Sequence, residues 1–124
     1  MRSGGRGFHK SYRLLKPIEF KRVFQQPTRT GDRALTILAR ENDKGHARLG
    51  LAISSKAARS SVVRNRIKRI ARESFRHHRL QLGSCDYVIT CGSAIGNKSA
   101  RELRLALDRY WHNLSNEKHS DSPD

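Results

Sequence analysis

The stretch Ser60–Arg76 limits what this chain can fold into more than any other. With successive residues turned by about 100° on a helix, Val63, Ile67, Ile70, Ala71 and Ser74 share one arc, and Phe75 lies just beyond its edge. Arg64, Lys68, Arg69, Arg72 and Arg76 gather on a separate arc with Asn65 among them, and Arg66 points elsewhere. Ser60 or Ser61 can cap the start of such a helix, and His77 and His78 suit the negative pole at its end. The apolar arc requires a core to cover it. The basic arc must face solvent or a partner. Glu73 is the only acid in the run, so internal ion pairs cannot neutralise the row, and cations this dense repel one another unless a polyanion lies against them. Asn65 adds an amide that both donates and accepts, as a sugar or base edge requires, although any surface Asn offers the same.

The rest of the composition points the same way. The chain has 124 residues, a formal net charge of +15 and a sequence pI near 11.1. That length predicts one domain with a modest core, and that charge steers a protein to nucleic acid or an anionic membrane surface. No apolar run approaches the roughly 20 residues that span a bilayer. Met1–Gly7 carries charge without an apolar stretch behind it, so no secretory signal is expected and the expected location is the cytoplasm. Cys85 and Cys91 bracket the strand-like Asp86–Thr90. On an extended strand they would stand about 20 Å apart, too far for a disulfide, and with His77 and His78 they form no zinc-ligand spacing. Reduced thiols are expected, and no metal site in the protein.

Along the chain, residues 1–11 are rich in Gly, Arg, Lys and Ser and read as a disordered basic tail. Pro17 suits the first turn of a helix that continues to Gln25, with Phe20, Val23 and Phe24 on one face. Thr28–Arg40 reads as extended, with Gly31-Asp32 able to interrupt it, and Arg48–Ser54 as the next strand. The short polar turn between them predicts an antiparallel hairpin. After the basic helix come the strand Asp86–Thr90 and a last helix, with Ser99 and Glu102 as a capping box and Leu103, Leu107, Tyr110, Trp111 and Leu114 as its buried stripe. Residues 115–124 read as a disordered tail. The predicted class is α+β: a two-layer sandwich of a small mixed sheet in the order helix, strands, helix, strand, helix, with the helices covering one side.

No pair of acids has a spacing that suggests acid–base work, and neither a phosphate-cradling glycine loop nor a nucleophile motif is present. The residues by themselves describe a nucleic-acid-binding domain without catalytic machinery. RNA is favoured because the element order matches neither a helix-turn-helix nor a zinc finger.

Val63–Arg76, with Arg64-Asn65-Arg66, then Lys68-Arg69, then Arg72-Glu73, resembles the motif of the protein subunit of bacterial ribonuclease P. Arg13-Leu14 with Phe20 and Phe24 resembles that family's first helix, Arg48–Lys56 the strand before the motif, and Asp86–Ile89 the strand after it. The similarity spans residues 12–114, the expected domain. It implies a left-handed β-α-β crossover around the motif helix, contrary to the general handedness rule. It also implies a catalytic RNA subunit that uses Mg2+ and hydrolyses precursor tRNA to remove the 5′ leader, with the protein a monomer in the holoenzyme. Arg64, Asn65, Arg66, Lys68, Arg69, Arg72 and Arg76 would hold the catalytic RNA. Arg13, Phe20, Phe24 and Lys56 would line a cleft for the single-stranded leader. Leu35 and Leu38 stand in the strand where relatives can carry aromatic residues, so the cleft is expected to rely more on shape and charge than on stacking. The alternatives are a ribosomal or assembly-type RNA-binding protein without a processing role, and a protein nuclease using its own carboxylates.

Overall fold

The computed structural model describes residues 12–120. The expected tail over residues 1–11 and the last residues, 121–124, lie outside this range. Three helices and four strands follow in the order α1 (Pro17–Gln25), β1 (Thr28–Gly31), β2 (Leu35–Glu41), β3 (Arg48–Ala52), α2 (Ser61–His78), β4 (Cys85–Cys91) and α3 (Ala100–Ser120). The α+β class, the mixed sheet and the element order are those expected from the sequence. Helix α3 runs on to Ser120, past the boundary drawn at 114, so residues 115–120 are helical where a disordered tail was expected.

The sheet order is β1-β2-β4-β3. Strand β4 pairs antiparallel with β2 and parallel with β3. The expected β2–β3 hairpin is therefore not formed, because β4 lies between the two strands. The physical reason is the apolar run of β4. Cys85–Ile89 is buried throughout, and a strand covered on both faces belongs in the centre of a sheet. Strands β3 and β4, parallel neighbours, are joined through α2, which makes the β-α-β crossover. The extended stretch after Thr28 breaks at Gly31-Asp32. Gly31 has φ 140°, and Asp32 Oδ1 accepts from the backbone N–H groups of Ala34 at 2.8 Å and Leu35 at 3.0 Å.

The helices, expected from the sequence to cover one side of the sheet, lie on both. Odd-numbered strand residues (Ile37, Leu49, Tyr87, Ile89) face α2 and α3, whereas Leu38 and Val88 face α1 and pack with Leu14 and Val23. Leu35 and Leu38 consequently point to opposite faces, and only Leu38 lies beneath α1. On the larger side Phe75, Tyr87 and Trp111 form a ring cluster with centroids 5.5–6.4 Å apart. Trp111 Nε1–H donates to Ser74 Oγ at 2.9 Å within it. Phe75 is fully buried there, nearer the middle of the apolar face than helical spacing alone placed it, because β4 and α3 both close over it. Leu103, Leu107, Tyr110, Trp111 and Leu114 are all buried, and Ser99 and Glu102 form the expected reciprocal cap at 2.8 and 3.1 Å.

The smaller side is fixed by charge. Asp86, 1% exposed, accepts a bidentate pair from Arg48 at 2.8 and 2.9 Å and a third bond from Asn42 Nδ2 at 2.8 Å. Arg48 Nη1 also reaches Glu19 at 3.2 Å, while the other Glu19 oxygen accepts from the backbone N–H groups of Leu15 and Lys16. One guanidinium thus ties the start of α1 to β3 and β4, and its hydrogen bonds to Asp86 hold it firmly protonated. The cysteines sit inside β4, at its two ends, and neither forms a disulfide.

Candidate nucleic-acid interface

Strand β3 is an edge strand. Its outer side is partly occupied by the chain before α1, where Leu14 N–H donates to Leu49 O at 2.9 Å and Arg13 bridges Leu49 in parallel register. With a period of two along a strand, the peptide groups of Leu51 turn to that same outer edge, beyond the bond to Leu14. A cavity of about 190 Å³ opens there. Leu14, Leu15 and Phe20 form one wall, Leu49–Leu51 the floor, and Lys68 and Arg72 of α2 the other wall. Arg13 also lines it, and its Nε–H is buried with no hydrogen-bond partner among the described residues. An orphaned buried donor costs about 1–3 kcal/mol, which an anionic oxygen would remove. Gly50 lets the ring of Phe20 approach the strand: a Cβ there would lie 2.7 Å from Phe20 Cε2.

Helix α2 is capped by Ser60, whose Oγ accepts from Val63 N–H at 3.3 Å. Ile67, Ile70, Ala71, Ser74 and Phe75 are buried. Asn65, Arg66, Arg69 and Arg76 are exposed, and Arg64, Lys68 and Arg72 half-buried. Lys68 and Arg72 reach the cavity wall, so the basic face and the cleft are one continuous surface. Arg64 is engaged differently. Its Nη1 donates to the carbonyls of Ala58 at 2.8 Å and Arg59 at 2.9 Å, latching the turn before the helix. No described helix is long and apolar enough to cross a membrane.

The sequence profile of the family described as Ribonuclease P matches residues 8–115. The chain belongs to that family. Its relatives include the ribonuclease P protein components of Methylococcus capsulatus, 47% identical over 86% of this chain and 84% of that one, and of Thioalkalivibrio sulfidiphilus, 45% identical over 88% and 91%. The solved RNase P protein of Staphylococcus aureus superposes with a TM-score of 0.76 at 25% identity, covering 84% of this chain and 95% of that one. The Thermotoga maritima protein shares the fold at a TM-score of 0.68 and 22% identity, over 84% and 96%.

Apart from Arg64, which latches the turn before α2, the residues singled out in the sequence fall into three groups. Arg13 and Phe20 line the cleft together with Lys68 and Arg72. Phe24, 47% exposed, and Lys56, also exposed, do not line it. Asn65, Arg66, Arg69 and Arg76 stand on the outer surface of α2. Sequence reasoning missed Leu15, Gly50 and Leu51 as cleft walls and treated Lys68 and Arg72 as belonging to the helix face alone. Gly50 carried a signal, since a glycine inside a strand marks a close approach.

Proposed function

We propose that the protein holds the catalytic RNA of ribonuclease P through the exposed face of α2 and guides the single-stranded 5′ leader of precursor tRNA into the cleft at the β3 edge. The observation that carries this reading is the shared wall. Lys68 and Arg72 serve the basic face and the cleft at once, so a leader lying against Phe20 and Arg13 would pass directly beside RNA bound on α2. Arg13 and Lys68 would meet phosphates, which position a strand without reading it, and Phe20 offers the aromatic surface on which an unpaired base stacks. The narrow cavity and its aliphatic Leu14, Leu15 and Leu51 favour shape and charge over a row of stacked bases.

Hydrolysis in this reading belongs to the RNA subunit. Among the described residues no three His, Cys, Asp or Glu side chains gather to hold a metal ion, and the buried acid, Asp86, is fully engaged with Arg48 and Asn42. Mg2+ would be held mainly by the RNA, and the protein, a monomer within a cytoplasmic holoenzyme, would supply binding and position. Reconstitution tests this. Purified protein added to its catalytic RNA is expected to restore leader removal at low Mg2+, and protein alone is expected to be inert. Cleavage by the protein alone, or no stimulation of the RNA, would overturn it.

A further inference from the structure

On the side of α2 away from the leader cleft, a cavity of about 310 Å³ opens between α2 and α3. Ile70 gives it an apolar wall, and Glu73, His77, His78, Arg104 and Asp108 surround it. That size sits at the lower end for a small-molecule site and suits a single nucleobase. The polar groups have little to do within the fold. Among the described residues, the side chains of Glu73, His77 and Arg104 make no hydrogen bond or ion pair. For Glu73 this is unusual, because Arg69 and Arg76 stand four residues before and three after it on the same helix, the spacing at which ion pairs form. The remaining groups are ordered. Ser74 Oγ accepts from Trp111, and His78 Nδ1 lies 2.9 Å from Ser74 O. A carbonyl only accepts, so Nδ1 carries the proton. Nε2 then faces Asp108 Oδ1 at 3.6 Å.

We infer that this cavity receives one unpaired guanine of the bound RNA. The inference rests on the reading above, that α2 binds the catalytic RNA. Guanine presents an imide N–H beside an exocyclic amine, the donor pair that one carboxylate accepts with both oxygens, and Glu73 is the half-buried carboxylate that lacks a partner. Asp108 offers a second acceptor at the rim. Arg104 and His77 offer planar groups against which a base stacks. The exposed Arg66 and Arg69 continue the stripe of α2 that borders the cavity, so a backbone held there would bring its bases to the opening.

The test turns on a difference of sign. If Glu73 were merely an acid near a polyanion, Glu73→Gln would remove repulsion and tighten RNA binding. As a base acceptor, the same change should weaken affinity for the catalytic RNA roughly 5- to 150-fold, the range for one bidentate base contact, and leave the salt dependence as in wild type. Kethoxal, which adds across N1 and N2 of guanine, should find one guanine shielded by the wild-type protein and open with Glu73→Gln. Inosine at that position lacks the amine. It should weaken wild-type binding and have little further effect in Glu73→Gln. Asp108→Asn, at an exposed rim position, gives a second variant with no folding burden; it should weaken binding in the same direction and less. Tighter or unchanged binding by Glu73→Gln, or no guanine shielded by wild type while the salt slope stays full, would overturn the cavity assignment and leave the basic-face reading standing. An RNA that fails to bind at all would overturn both.

Discussion

A methyl group added at Gly50 would lie 2.7 Å from Phe20 Cε2 and 2.9 Å from Leu14 Cδ1, closer than packed carbons tolerate. Gly50→Ala is therefore expected to push the Phe20 ring into the cleft, weaken precursor tRNA binding to the holoenzyme, and leave mature tRNA and catalytic RNA binding unchanged. Paired affinities for the two tRNAs check this, and equal losses for both would count against a leader site. The two phenylalanines, alike in the sequence, should separate in the same assay. Phe20→Ala removes a cleft wall and should cost the precursor about 1–3 kcal/mol of binding, the worth of one base–aromatic contact. Phe24→Ala, at a half-exposed position outside the cleft, should cost much less. Helical spacing put both rings on one face but could not show where β3 and the chain before α1 would close over one and not the other.

At the scale of the element, α2 carries cations with two kinds of work. Replacing Lys68 and Arg72 with Ala should weaken RNA binding and flatten its log–log salt dependence by roughly 0.7–0.9 for each phosphate no longer neutralised, with the fold intact. Arg64→Ala should add a loss of stability measurable by denaturant titration, because its guanidinium latches the carbonyls of Ala58 and Arg59. An unchanged slope in the double variant would remove the Lys68–Arg72 edge from the RNA surface. The helix and its buried arc were legible from periodicity, since Ile67, Ile70, Ala71 and Ser74 need only a 3.6-residue repeat to be found. The pairing of β3 was not. Its alternation fits a hairpin as well as a parallel edge strand, and the deciding fact, that Cys85–Ile89 outcompetes it for the centre, belongs to another part of the chain. The α2–α3 cavity was hidden for a similar reason: Arg104 and Asp108 lie far along the sequence from Glu73. The buried stripe of α3 was read correctly, but nothing in it says that this helix lies beside α2.

For the whole molecule, acid titration should report how the ends are tied down. Backbone N–H donors, first that of Lys16, hold the Glu19 carboxyl below its ordinary 4.5. Those of Leu35, then Ala34, hold Asp32 below 3.8, with help from the Tyr110 hydroxyl 3.0 Å away. Both folded-state values lie under the unfolded ones, so each group contributes stability that is complete above the ordinary carboxylate range and disappears as pH falls through the lowered values. Thermal melts from pH 6 downward should show that loss, and Glu19→Gln or Asp32→Asn should make the acid limb shallower. A limb as steep in both variants as in wild type would show that other carboxyls are responsible. The placing of β4 between β2 and β3 also sets the order in which the chain can fold. A ribosome releases β2 and β3 well before their common neighbour. Through that interval the nearest partner for β3 is β2, across the short loop of residues 42–47, and the hairpin they would form must come apart before Cys85–Cys91 can enter. Lys44→Asn would place an Asn-Gly pair at that loop, where Gly45 already has φ 83°, and Asn-Gly is the strongest short signal for a two-residue hairpin turn. At this exposed position the native state should change by less than about 0.5 kcal/mol. Stopped-flow refolding is nevertheless expected to slow, because the substitution favours a pairing that the native sheet does not contain; an unchanged rate would show that no such hairpin competes.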